Sequence, residues 1–316
     1  MSVKILLTFD AADEDVERIR AASDSVAVDR AERRGQALEL AADAEVVLAG
    51  NWWEALWKAA PRLRWVQSWG AGVERFLTPG FVASPIVLTN ARGIYSVPIA
   101  EHVMAFVLSF TRGFHELIRN QLGHRWRYDI QPRELIGKTM GIVGLGGIGT
   151  ELAKRAQVCG MRVIAVRRRA GLPAPYADDV RGPESLGWLL AESDYVALCA
   201  ALTRQTRHLI GEEALRQMKP TAYLINIARG GLVDEAALVS ALEERRIAGA
   251  GLDVFETEPL PDDSPLWDLP NVLITPHCAG SSLHSHRRLM DLFCENLRRY
   301  LAGEELLNVV NKQDGY

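Results

Sequence analysis

Gly144-Leu145-Gly146-Gly147-Ile148-Gly149 is the stretch on which the fold turns. Before it runs Thr139-Met140-Gly141-Ile142-Val143, a short apolar segment that reads as a strand. After it runs Thr150-Glu151-Leu152-Ala153-Lys154-Arg155-Ala156, a row of good helix formers. Strand, glycine turn and helix in that order form the setting in which G-x-G-x-x-G binds a dinucleotide. Gly144 permits the tight turn, Gly146 lets backbone approach a pyrophosphate, and Gly149 lets helix pack on strand. Gly147 and Ile148 open the helix, where free N–H groups and the dipole favour phosphate.

Working outward, strands are expected at Thr139–Val143, Arg162–Val166, Tyr195–Leu198, Ala222–Ile227, Gly249–Val254 and Val272–Thr275, six in all, as in a doubly wound sheet. The first 95 or so residues alternate in the same way. Lys4–Phe9, Val26–Val28, Glu45–Leu48, Leu63–Gln67 and Ile86–Leu88 read as strands, with helices at Asp13–Ala22, Arg34–Ala42 and Trp53–Ala59. This half lacks a glycine fingerprint. One long helix is predicted from Pro98 to Leu122, with Ile99, Val103, Phe106, Val107 and Phe110 at helical spacing. A last helix is expected at Leu283–Leu301. The fold class is therefore α/β with two domains, a Rossmann domain at 96–282 inserted into a smaller one formed by 1–95 and 283–316.

Length and composition agree with two domains of an ordinary globular enzyme: 316 residues, 48% hydrophobic and 24% charged. A net charge of −4 gives no global basic field, which argues against nucleic acid or a membrane surface as partner. The four cysteines, Cys159, Cys199, Cys278 and Cys294, form no C-x-x-C pair and no zinc spacing, so no metal is expected and a reducing, cytoplasmic setting fits. The opening run Met1–Leu7 leads straight into a strand-like segment, and no signal peptide is expected. The most apolar helical stretch, 103–110, is far below the ~20 residues of a membrane span.

In open parallel sheets ligands bind outside the carboxyl ends of the strands. Three successive strands here end in Ala228-Arg229-Gly230-Gly231, in Asp253-Val254-Phe255-Glu256-Thr257-Glu258-Pro259 and in His277-Cys278-Ala279-Gly280. One sheet edge thus carries an arginine, several carboxylates and a histidine beside the glycine turn. An arginine holds a carboxylate or carbonyl oxygen through a rigid fork. A histidine gives or takes the proton that accompanies hydride transfer, and a carboxylate behind it fixes its tautomer. No G-x-S-x-G elbow is present. His102 is expected to be structural and Glu256 solvated, while His284 and His286 lie past the active edge and are poor candidates.

These motifs, in this order, resemble the D-2-hydroxyacid dehydrogenase family over nearly the whole chain, and most of all its NADPH-dependent glyoxylate/hydroxypyruvate reductases. The resemblance rests on Gly144–Gly149, Asn226–Asp234, Gly251-Leu252-Asp253-Val254-Phe255 with Glu258-Pro259, and Thr275-Pro276-His277. It implies that the smaller domain is flavodoxin-like and binds substrate, with His277 as general acid/base, Glu258 as its partner and Arg229 as substrate anchor. It also implies that Asp253 contacts the nicotinamide amide, that Ala201, Thr206, Ala228, His277 and Gly280 line the cofactor, and that the amides of Ala71, Gly72 and Val73 hold the substrate carboxylate. A homodimer is implied too, with Trp126 reaching toward the partner. Arg92 and Tyr95 are further candidate substrate contacts.

The chain departs from the pattern at two places. Where NAD-using members carry an acid after the second strand, this chain has Arg167-Arg168-Arg169, a setting for a 2′-phosphate. NADP(H) is therefore expected over NAD(H), with Arg167 and Arg168 as the contacts. In Cys199-Ala200-Ala201-Leu202-Thr203, Ala201 stands where the family usually has proline. Trp52 and Trp53 follow the third strand, and Trp52 is a candidate wall of a small substrate pocket. Two rival readings share the scaffold: a formate- or phosphite-type dehydrogenase, and a nucleotide-sensing co-repressor that uses cofactor binding to control assembly.

Overall fold

Parallel strands buried on both faces organise the chain. The computed structural model describes residues 2–127 and 129–315; Met1, Tyr128 and Tyr316 lie outside that description. The chain divides into two compact units, one of residues 1–95 and 282–316, the other of residues 96–281.

The first unit holds β1 (Val3–Leu7), β2 (Val26–Arg30), β3 (Val46–Ala49), β4 (Trp65–Ser68) and β5 (Val87–Thr89). Their order is β2-β1-β3-β4-β5, all parallel, which is the flavodoxin-like winding. Alternation along β1 sends Leu6 to one face, with Val47, Val66, Phe76 and Phe81, and sends Ile5 and Leu7 to the other, with Leu48 and Trp65. The helix Ser285–Ala302 closes the second face, stacking Phe293 on Trp65 at 5.3 Å between ring centroids.

The second unit holds β6 (Thr139–Val143), β7 (Arg162–Val166), β8 (Asp179–Arg181), β9 (Tyr195–Leu198), β10 (Tyr223–Asn226), β11 (Gly249–Leu252) and β12 (Val272–Ile274). Their order is β12-β11-β10-β9-β6-β7-β8. The winding reverses between β6 and β9, so the glycine turn after β6 stands at the topological switch point. The sheet has seven strands where sequence reading gives six; the added β8, Asp-Val-Arg, has too little apolar character to announce itself.

The predicted long helix is two helices, Ser96–Arg112 and Phe114–Leu122. Gly113 breaks it, taking φ of +69° where a Cβ would come within 2.6 Å of Ile130 Cγ2. Among the described residues no helix is long and apolar enough to cross a membrane.

Candidate active site

The glycine turn is shaped by close backbone contact. Gly144 has φ of +100°, and a Cβ there would meet Ala200 N at 2.7 Å, in the loop after β9. A Cβ on Gly149 would meet Gly144 O at 2.4 Å, so the helix Gly147–Val158 lies hard against the turn. A Cβ on Gly146 would meet nothing within 4 Å, so the turn is open on that side. The first-turn amides of the helix have no intrahelical acceptor. An open concavity of this kind fits a pyrophosphate.

Arg167, at the end of β7, folds back over its own loop. Its guanidinium donates to the carbonyls of Leu172 and Pro173 and, at 3.5 Å, of Leu145 in the glycine turn. Its Nε is buried with no hydrogen-bond partner. Arg168 is exposed beside it. Ala201 is exposed in the loop after β9, which Thr206 ties together by donating to Ala201 O at 2.8 Å and accepting from Thr203 N at 2.7 Å. The loop is thus held by threonine hydroxyls without the missing proline.

Three strand ends deliver Arg229, Glu258 and His277. After β10, Asn226 closes a tight turn: Nδ2 donates to Arg229 O at 2.9 Å and Oδ1 accepts from Ala228 N at 3.1 Å. Arg229 extends from that turn, with Nη1 donating to Ala228 O at 2.6 Å. After β11, Glu258 Oε1 accepts from Phe255 N at 3.0 Å while Oε2 sits 2.6 Å from His277 Nδ1. A carboxylate only accepts, so Nδ1 carries the proton and Nε2 is left to exchange one. His277 is half exposed, and its φ of +51° is a left-handed backbone that costs a non-glycine residue on the order of 1 kcal/mol.

What holds that backbone is Asp253, which is 1% exposed. Its carboxylate accepts from Thr275 Oγ1 at 2.5 Å, Cys278 N at 2.9 Å and Ala279 N at 3.0 Å, and its carbonyl accepts from His277 N at 2.8 Å. Thr275 gives its hydroxyl proton to Asp253, so His102 Nε2, 3.0 Å from Thr275 Oγ1, is the donor there. The family resemblance puts Asp253 on the nicotinamide; the geometry makes it the residue that positions the His277 loop. Its charge also acts on Cys278, whose thiol is pushed up by burial and by the adjacent carboxylate. Burial alone pushes the Cys199 thiol up to about 12. Gly280 is half-buried just past Ala279.

In the first unit a pocket of about 420 Å³ opens beside the ends of β3 and β4, with Phe9, Asn51, Trp69, Gly70, Gly72 and Arg75 in its lining. Trp69 packs on Phe9 at 4.4 Å. The amides of Ala71, Gly72 and Val73 donate to nothing among the described residues. Trp52 does not line this pocket. The chain turns at Trp52, with φ of +57°, straight into the helix Trp53–Leu56, and both indoles pack on the Leu56–Phe76–Phe81 cluster. The aromatic wall comes instead from Phe9 and Trp69. Tyr95 is occupied, its hydroxyl donating to Trp69 O at 2.9 Å, and Arg92 is exposed.

A doubly wound parallel sheet with an open glycine cradle at its switch point defines a dinucleotide-binding α/β protein. The family described as D-isomer specific 2-hydroxyacid dehydrogenase, NAD binding domain, matches residues 104–279. The chain is 37% identical over 273 residues to the glyoxylate reductase of Korarchaeum cryptofilum, covering 82% of this chain and 79% of that one. It is 40% identical over 248 residues to the (S)-sulfolactate dehydrogenase of Chromohalobacter salexigens, covering 77% and 79%. The crystal structure of an NADPH-dependent glyoxylate/hydroxypyruvate reductase from Sinorhizobium meliloti, in complex with NADP and sulfate, superposes with a TM-score of 0.87 at 27% identity, covering all of both chains. The chain belongs to the D-isomer specific 2-hydroxyacid dehydrogenase family and is an oxidoreductase, a 2-oxo acid reductase.

Proposed function

We propose that this enzyme reduces small 2-oxo acids of the glyoxylate/hydroxypyruvate kind to D-2-hydroxy acids, with NADP(H) preferred and NAD(H) usable. The Glu258–His277 pair at 2.6 Å, one strand end from Arg229, carries the reading. The amides of Ala71, Gly72 and Val73 hold the substrate carboxylate. Arg229 holds the carbonyl oxygen and stabilises the charge that grows on it. His277 donates its Nε2 proton to that oxygen while Glu258 stabilises the ring. When bound, the reduced nicotinamide supplies hydride to the carbonyl carbon. Gly144, Gly146, Gly147, Ile148 and Gly149 hold its pyrophosphate, with Ala201, Ala228 and Gly280 along its length.

Cofactor choice rests on the absence of an acid after β7 and on Arg168, exposed where a 2′-phosphate lies in dinucleotide folds. The related reductase from Sinorhizobium meliloti is NADPH-dependent. Arg167 braces the glycine turn, so Arg168→Ala is the cleaner probe. The test is NADPH and NADH oxidation with glyoxylate and hydroxypyruvate. Turnover is expected, and Arg168→Ala lowers the NADPH-over-NADH preference about tenfold; an unchanged preference refutes the assignment of Arg168.

A homodimer and a cytoplasmic location complete the proposal. The helix Phe114–Leu122 and the residues after it expose Phe114, Ile118, Leu122 and Trp126, a row suited to a second copy of the chain. Sedimentation velocity checks the dimer. All four cysteines are free, as a reducing compartment requires, and cell fractionation checks the location.

A further inference from the structure

One charged side chain in the pocket of the first unit has no part in the chemistry above. Arg75 lines the pocket between the loops after β3 and β4. Its guanidinium donates to Gly50 O at 2.9 Å and Ala49 O at 3.2 Å, and lies 4.9 Å from the centroid of the Phe76 ring. Two of the five N–H donors of an arginine are thereby used and three are not. Among the described residues Arg75 forms no ion pair, and no acidic side chain lines the pocket. The two carbonyls orient the fork without neutralising it, which makes it a preset receptor for a planar or tetrahedral anion. The pocket, at about 420 Å³ against ~30 Å³ for one water, is larger than a two-carbon oxo acid fills. The substrate's own carboxylate is already assigned to the amides of residues 71–73.

We infer that Arg75 is a specificity-determining residue that binds a second anionic group on the substrate, at the end away from the 2-oxo acid head: a carboxylate, a sulfonate or a phosphate ester. This rests on the reduction proposed above. A substrate without that group leaves a fixed cation facing only water, so neutral and acidic side chains differ in kcat/KM.

The experiment compares pyruvate with oxaloacetate, sulfopyruvate and phosphohydroxypyruvate, which share the oxo acid head and differ in the terminal group. At least one of the three is expected to exceed pyruvate in kcat/KM by about 30-fold. Arg75→Met lowers that ratio about 30-fold and Arg75→Lys by less, because a lysine keeps the charge and loses the fork. Equal kcat/KM for pyruvate and all three acidic substrates overturns the inference, as does an equal loss on all four substrates in Arg75→Met. Calorimetric titration of the NADPH-loaded protein with D-malate and D-lactate reads the same contact without turnover, because cofactor and ligand are both already reduced. Tighter D-malate binding that disappears in Arg75→Met supports it, and equal affinities overturn it. If no 2-oxo acid is reduced while that binding difference persists, the reduction fails and the role of Arg75 stands.

Discussion

The strand ends of the second unit and the pocket of the first solve opposite problems. In the second unit the proposed chemistry sits on side chains that are themselves fixed by side chains. Asp253 takes donors from Thr275, Cys278 and Ala279, Asn226 closes the turn before Arg229, and Glu258 fixes the tautomer of His277. In the first unit the proposed binding groups are backbone amides of residues 71–73 and one arginine held by backbone carbonyls. Proton transfer requires one nitrogen of one ring at one place, so the side chains that hold the turns, Asp253 and Asn226, are buried and bonded at several atoms, while Glu258 meets the ring at a more exposed place. Recognition of an anion requires only donors facing a space, which a loop provides.

Substitutions can break this contrast, and the largest effect is expected at its most committed atom. His277→Ala removes the proton donor and should lower kcat about 10³-fold while NADPH binding, read by fluorescence titration, stays near wild type. A kcat within tenfold of wild type would remove His277 from the proton-transfer role.

Asp253→Ala comes next. It leaves Thr275, Cys278 and Ala279 donors without their acceptor in a buried place, for a loss of about 3 kcal/mol in chemical denaturation. Arg75→Met, which removes only an exposed contact to two carbonyls, should cost well under that. Equal losses would erase the distinction between the two regions.

The smallest effect is on thiol reactivity. Thiolate is the form that alkylates, and burial pushes Cys199 up to about 12, so at pH 8.5 Cys199 should resist iodoacetamide in the native protein. Cys278 is raised by burial and then by the Asp253 charge. Removing that charge favours the thiolate, so Asp253→Ala should alkylate faster at Cys278. Peptide mass mapping reads both sites, and an unchanged Cys278 rate in that variant would mean the carboxylate charge does not reach the sulfur.

Much of this was legible in the chain. The glycine turn, the buried alternation of the strands and the Arg229, Glu258 and His277 positions follow from local pattern, since each motif is contiguous in sequence. Other features were not. β8 is three residues with little apolar signal, and the break at Gly113 looks in sequence like one tolerated glycine in a helix. His102 and Thr275 lie 173 positions apart, yet share one hydrogen bond. Arg75 stands two residues beyond the loop motif and carries no pattern of its own; its one signal was a lone cation next to a glycine-rich loop.

The sequence by itself determined the two α/β domains, the glycine turn and which polar residues stand at the strand ends, because hydrophobic period and glycine turns act over a few residues. Only the tertiary structure decided that Asp253 positions the His277 loop, that Trp52 and Trp53 pack on a core cluster while Phe9 and Trp69 line the pocket, and that Arg75 faces it without an acidic partner. Those outcomes depend on which distant groups meet, and burial together with hydrogen-bond satisfaction, not local propensity, selects the partners.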